Sequence, residues 1–349
     1  IFTESVLAVR FRRRDHRGQW AGGPMYVMEA AFGRRAGRLL GTVFSLFAVG
    51  ASLGIGSLTQ ANAIADALSS TFALPAGPVG LVTAWLALLG ILGGIRSIAK
   101  VTSVLVPVMA VLYLAAGLVV IGGNLGNLPE GLLAILCSAF SPRAAAGGFA
   151  GMWAAARWGV ARGVFSNEAG LGSAGIAAAS ADASSPVQQG YISMTGAFFD
   201  TIIICTVTGL AICCSGVLGA VDASGAPVDG AALTILAFQT VLGDLGGKCI
   251  ALFIVLFAFS TILGWEYQGE TAFSYLTRDR GRMAYRLVYV LAVLLGARAR
   301  LETVYLLSDI CNALMCMPNL ICLMAMSGEA AAAVRHASFG RPLRQKISV

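Results

Sequence analysis

Apolar residues in this chain gather into long runs separated by short polar breaks. The runs at 39–53, 79–95, 101–121, 198–214, 250–264 and 304–326 approach the length of ~20 residues that lets a helix cross a hydrocarbon core. They are continuous rather than alternating, which argues against a β-barrel. The pattern predicts spanning helices over about 39–68, 77–95, 101–121, 190–214, 248–275, 285–296 and 304–327, with a short apolar piece at 233–245. Residues 1–9 read as the end of a helix whose beginning lies upstream, so the chain is expected to be truncated on its N-terminal side. Segments 10–38 and 328–349 read as loop and tail.

Composition agrees with this pattern. The chain is 57% hydrophobic and 12% charged, about half the ~25% charge of soluble domains. The formal charge is +7, and its placement carries the information. Arg10, Arg12, Arg13, Arg14, Arg17, Arg34, Arg35 and Arg38 form one group. Arg96 with Lys100, the group at 278–286, and Arg335, Arg341, Arg344 and Lys346 form the others, whereas 122–131 and 215–230 contain no Lys or Arg. By the positive-inside rule the basic segments lie in the cytoplasm. With alternating spans, the Ala- and Gly-rich region 132–181 must cross once. No groove-reading motif accompanies the charge, so nucleic-acid binding is not expected.

That region contains the chain's least membrane-like stretch: Asn167, Glu168, Ala169, Gly170, Leu171, Gly172, Ser173, Ala174 and Gly175. A carboxylate at membrane depth is costly and marks a site by default. Glycines let a helix open, and opened backbone is tolerated in a membrane where it lines a cavity. The stretch is therefore expected to be a break in a crossing helix, with Asn167, Glu168, Gly170, Gly172 and Ser173 near a substrate. A Gly-rich packing surface between helices is the plainer alternative. Glu168 can touch substrate directly or brace the break by accepting from freed amides. Arg157 and Arg162 precede the break and are expected to anchor it by snorkelling.

Other polar residues lie within apolar runs. Ser260, Thr261, Gly264 and Trp265 share one helix, with Trp265 four residues after Thr261 on the same face. The hydroxyls offer hard oxygen ligands, or they bond back to their own helix carbonyls. Trp265 can close a pocket or belong to an interfacial belt. Gln60 and Asn62 can meet a ligand or pair across helices. Asp200 is read as a gating residue or a structural partner for an arginine. The eight cysteines form no CxxC or Cys/His cluster, and His16 and His336 sit in loops. Neither a metal–thiolate site nor a disulfide framework is expected. Without a nucleophile–base set or a nucleotide-binding motif, the chain is expected not to be an enzyme and to need no organic cofactor.

The run from Gly159 to Ala174 resembles the sodium:alanine (alanine or glycine:cation) symporter family. So do Gly22-Gly23-Pro24-Met25-Tyr26, Gly54-Ile55-Gly56, Gln60-Ala61-Asn62, Asp200-Thr201, Cys205-Thr206, Thr261-Ile262-Leu263-Gly264-Trp265, Gly269-Glu270 and Met317-Pro318-Asn319-Leu320. These matches fall in family order along nearly the whole chain. This chain has Gly175 where the family usually has Pro, Ala178 for His, Ser57 for Asn, and Glu266 and Gln268 for small or aromatic residues.

The resemblance implies an all-α polytopic protein with the inverted-repeat fold of the leucine-transporter type. Residues 1–121 would be the remainder of the first repeat, whose first helix is missing, and 132–327 the second repeat. It implies sodium-coupled symport of alanine or glycine by alternating access in the plasma (inner) membrane, by a monomer. Ser260 and Thr261 would ligate Na⁺, the coupling ion. Gln60, Asn167, Glu168, Gly170, Gly172, Ser173, Gly264 and Trp265 would contact the amino acid. The alternative is a proton-coupled amino-acid carrier of the same fold, with Glu168 or Asp200 carrying the proton.

Overall fold

Glycine and proline punctuate the helices, and most boundaries follow from them. The computed structural model describes residues 1–16, 18–140, 148–222, 225–299 and 301–337. Helix α1 (Phe2–Arg10) is followed by a two-residue antiparallel pair, β1 (Arg13–Arg14) with β2 (Trp20–Ala21). Helix α2 (Pro24–Phe32) begins on Pro24 in its first turn, where a missing N–H costs nothing. The basic loop expected at 10–38 therefore contains a helix, because the apolar run after Pro24 outweighs the flanking arginines. α2 passes through a π-helical turn, Gly33–Gly37, into α3 (Arg38–Ala51), and a second π turn, Ser52–Thr59, leads into α4 (Gln60–Phe72).

Next come α5 (Ala76–Leu92), α6 (Gly94–Gly123) and α7 (Leu128–Phe140). The region expected to be a broken crossing folds into α7, α8 (Gly148–Asn167) and α9 (Ser173–Ser180). α10 (Pro186–Ala197) continues through a π turn, Phe198–Ile204, into α11 (Cys205–Cys214). The pieces expected separately at 233–245 and 248–275 are two helical halves, labelled together α12 (Gly230–Thr277), that meet at Gly243, where φ of 66° and ψ of −167° are not helical. α13 (Arg282–Gly296) and α14 (Leu301–His336) complete the described chain, and α14 carries His336 as its last residue.

Five described helical stretches are long and apolar enough to cross a membrane: Pro24–Phe72, Ile98–Gly123, Pro186–Cys214, Gly230–Thr277 and Val304–His336. Two shorter helices also present outer faces that suit a lipid solvent. On α13, Leu287, Leu291 and Leu295 are exposed, while Tyr285, Tyr289 and Val293 on the opposite face are buried. α5 shows Leu81, Trp85 and Leu89 outward in the same manner. This is an all-α polytopic membrane protein.

α12 links the three parts of the core. Its first half packs with α6 and α11 around Phe238 and Ile250. Its middle packs with α4, α5 and α13 around Ile262 and Tyr289. Trp265 joins α1, α2, α3 and α14 around Phe44, Met25 and Leu171. Small residues set the helix spacing. A Cβ added at Gly56 would lie 2.3 Å from the Trp265 Cβ, and one at Gly54 would lie 2.2 Å from the Ser308 Oγ. The Gly54-Ile55-Gly56 run thus lets α12 and α14 reach the backbone of the π turn.

A candidate substrate site at the break between α8 and α9

The stretch expected to open does so. α8 ends at Asn167, and three of the next five residues take positive φ: Glu168 at 56°, Gly170 at 84° and Gly172 at 98°. Glycine takes this conformation freely, while a glutamate there is strained by about 1–3 kcal/mol and must be held by its surroundings. The Glu168 N–H still donates to the Val164 carbonyl (2.9 Å), closing α8. Asn167 Oδ1 accepts from the Ala169 N–H (2.8 Å), a local turn that asparagine favours. Gly172 then leads into α9.

Freed backbone groups need partners at membrane depth, and distant residues supply them. The Gly170 N–H donates to Glu4 Oε2 (3.1 Å) on α1. Asn319 Nδ2 on α14 donates to the Gly170 carbonyl (2.9 Å) and to Glu4 Oε1 (2.8 Å). Both side chains are almost fully buried, Glu4 at 3% and Asn319 at 2% exposure. Across the break, Ser173 Oγ donates to Glu168 Oε2 (2.6 Å). The side chains of Gln268 and Trp265 on α12 also face the Glu168 carboxylate. Three distant elements, α1, α12 and α14, thus converge on five residues of opened chain.

The structure brings Asn167, Glu168, Gly170, Ser173 and Trp265 together here. Gly172 serves packing as well as conformation, since an added Cβ would lie 2.5 Å from Phe44 Cε2 and 2.6 Å from Pro24 Cγ. At Gly264, one residue before Trp265, an added Cβ meets nothing within 4 Å, so α12 leaves open space there. Gln60 takes a different partner, donating to the Ile55 carbonyl (3.2 Å) beside the π turn. Ser260 and Thr261 both donate to the Phe257 carbonyl, at 2.7 and 3.0 Å. A hydroxyl that gives its hydrogen to a carbonyl keeps its lone pairs for a cation.

The neighbouring polar residues have partners of their own. Asn62 donates to the carbonyls of Gly296 and Ala299 (3.2 and 3.0 Å) and caps α13. Asp200 accepts from Ser166 Oγ (2.7 Å), tying α8 to the Phe198–Ile204 turn just before the break. Arg162 pairs with Asp309 of α14 (2.5 Å). Arg12 donates to the carbonyls of Ala179 and Ala181 (3.2 and 2.7 Å) at the end of α9, with its guanidinium 4.1 Å from the Trp20 ring centroid. Burial pulls that guanidinium below the usual arginine range, and Asp182 pushes it back up. Sequence reasoning passed over Glu4, Asn319 and Gln268 as site residues. Each carried a signal, being a carboxylate or amide within an apolar run.

A helical membrane bundle with an opened segment held by buried carboxylates and amides suits a carrier. More specifically, the chain belongs to the sodium:alanine symporter family, whose model matches residues 1–345. It is similar to the sodium/alanine symporter AgcS of Methanococcus maripaludis, with 43% identity over 94% of this chain and 71% of that protein. An uncharacterized transporter of Haemophilus influenzae is 45% identical over 93% of this chain and 70% of its own length. The probable sodium/glutamine symporter GlnT of Bacillus subtilis is 36% identical over 93% and 66% respectively. The protein is a transporter.

Proposed function

We propose that this transporter is a sodium-coupled symporter of a small neutral amino acid, alanine or glycine, working by alternating access. The observation that carries this reading is the opened chain at 168–172, held by Glu4 and Asn319 beside the Glu168–Ser173 pair. An amino-acid zwitterion needs acceptors for its ammonium and donors for its carboxylate. Glu168 supplies acceptor character, as does Gln268 Oε1, which is buried without a hydrogen-bond partner among the described residues. The first N–H groups of α9 have no intrahelical acceptor and favour an anion, so they and Ser173 suit the carboxylate. The open space at Gly264 fits a small side chain, and Trp265 closes the pocket behind it. Asn167 and Gly170 shape the break, and Gln60 approaches from the π turn.

Na⁺ is a hard cation and takes oxygen ligands. We assign it to Ser260 and Thr261, whose lone pairs remain available, as the second cargo. The basic segments face the cytoplasm. Residues 1–121 and 132–327 are two inverted repeats of a leucine-transporter-type fold, and the unit of transport is the monomer. AgcS, named as a sodium/alanine symporter, supports alanine as the first substrate to test.

The test is alanine uptake into proteoliposomes under an inward sodium gradient. Uptake is expected with sodium and not with potassium, and the Ser260→Ala, Thr261→Ala double variant should lose the sodium dependence. Uptake that needs no sodium but collapses when external pH is raised would replace this reading with proton coupling. Sodium dependence retained in the double variant would remove the ion site from these hydroxyls.

A further inference from the structure

A second buried carboxylate cluster lies on the other face of α12. Glu266 and Glu270, one turn apart, are 2% and 7% exposed. They line a polar cavity of about 70 Å³ that also includes Asp15, Tyr26, Arg282 and Arg286. The cavity lies where α12 and α13 meet the β1–β2 pair, and it is large enough for a few waters.

The donors nearest Glu266 are engaged with other groups. Arg286 donates from Nε to Glu270 Oε2 (2.5 Å) and from its second arm to Glu270 Oε1 (3.1 Å). Its Nε lies 3.7 Å from Glu266 Oε1, close enough for attraction and too far for a hydrogen bond. Arg282 pairs with Asp15 (3.2 Å) and Asp279 (2.5 Å), and lies 3.6 Å from Glu270. Ser52 Oγ gives its hydrogen to the Val49 carbonyl (2.7 Å), so the Tyr285 hydroxyl, 2.8 Å away, donates to Ser52. The Tyr289 hydroxyl donates to the Ile262 carbonyl (2.8 Å). The Tyr267 hydroxyl reaches the Trp20 carbonyl. Glu266 Oε1 is left buried, aimed at the cavity wall, without a hydrogen-bond partner among the described residues.

Charge balance leads to the same place. Among the described residues, Arg286 pairs with Glu270 and lies 3.7 Å from Glu266, while Arg282 is shared among Glu270, Asp15 and Asp279. His16 lies 3.4 Å from Asp279 on the exposed side. An uncompensated carboxylate in a low-dielectric site takes up a proton rather than stay charged. Glu266 and Glu270 lie four residues apart on one helix and line the same cavity, and two neighbouring carboxyls in a buried site share a proton rather than both ionise.

We propose that Glu266 and Glu270 form a proton-binding site, separate from the Glu168 site, in which Glu266 carries the proton and donates it to Glu270 against Arg286. A sodium ion does not fit this position, because it needs several oxygens and the Arg286 cation already occupies the second carboxylate. A proton needs only one acceptor.

Infrared difference spectroscopy of the purified protein tests this without reference to transport. A protonated-carboxyl stretch present at neutral pH should disappear in Glu266→Gln, whose amide imitates the protonated acid and preserves packing. The same band should survive in Glu168→Gln, which separates the two sites. In Glu270→Gln, Arg286 is free to turn to Glu266, and the band should be lost by ionisation of Glu266. If Glu266→Gln and the unchanged protein give the same carboxyl spectrum from acid to alkaline pH, Glu266 is ionised throughout and the proposal fails. Loss of the band in Glu168→Gln instead would assign the proton to the break.

Discussion

At Gly172 a single methyl group separates a working break from a strained one. The backbone there has φ of 98°, and an added Cβ would press on Phe44 and Pro24. Gly172→Ala should destabilise the protein by about 1–3 kcal/mol from backbone strain alone, with overpacking adding to it. Gly264→Ala adds the same methyl group on α12 into open space and should raise stability by about 0.5–1 kcal/mol through helix propensity. Thermal unfolding in detergent compares the two directly. Asn319→Ala would strip one donor from the Gly170 carbonyl and one from Glu4, a loss of about 1–3 kcal/mol for each buried group left unsatisfied. Met317, two residues earlier and 62% exposed, provides the control, because Met317→Ala should move the midpoint little. The residues that hold the break were visible in the sequence as polar positions in apolar runs, but their task was not. Nothing local to Glu4 or Asn319 shows that both reach Gly170.

Among the elements, α9 depends most on its ends. It spans only Ser173–Ser180, too short to be stable alone, and it begins at the break. Arg12 closes its other end with two hydrogen bonds to carbonyls while stacking on Trp20. Arg12→Lys keeps the charge but loses the planar fork. It should cost about 1–2 kcal/mol and should raise hydrogen exchange over 173–181 more than elsewhere. Exchange that rises evenly along the chain would show that Arg12 does not act through α9. Helix positions were largely legible from apolar periodicity, as α5, α6, α13 and α14 show. The two halves of α12 were legible too, since Gly243, Asp244, Gly246, Gly247 and Lys248 look like a break in sequence. The chain does break there, at Gly243, whose φ of 66° and ψ of −167° are not helical. The helix at Pro24–Phe32 was obscured by the density of arginine around it.

For the whole molecule, sodium binding should appear as stability. A ligand that binds only the folded state adds about 2.7 kcal/mol at a concentration one hundred times its dissociation constant. Sodium chloride should therefore raise the unfolding temperature where equal potassium chloride does not. The Ser260→Ala, Thr261→Ala variant should respond equally to both salts, and a preserved sodium response would place the ion elsewhere. The sequence by itself determined that this is a polytopic helical protein and that the chain opens within 167–175. Apolar run length, glycine content and the cost of a buried carboxylate are local properties, readable one segment at a time. Only the tertiary structure decided what the break is tied to. Gly170 finds its partners 166 residues away at Glu4 and 149 away at Asn319. The same packing sets Glu168 apart from the Glu266–Glu270 pair on the opposite face of α12. A freed amide must be satisfied somewhere, but which residue satisfies it depends on how helices distant in sequence come to lie together.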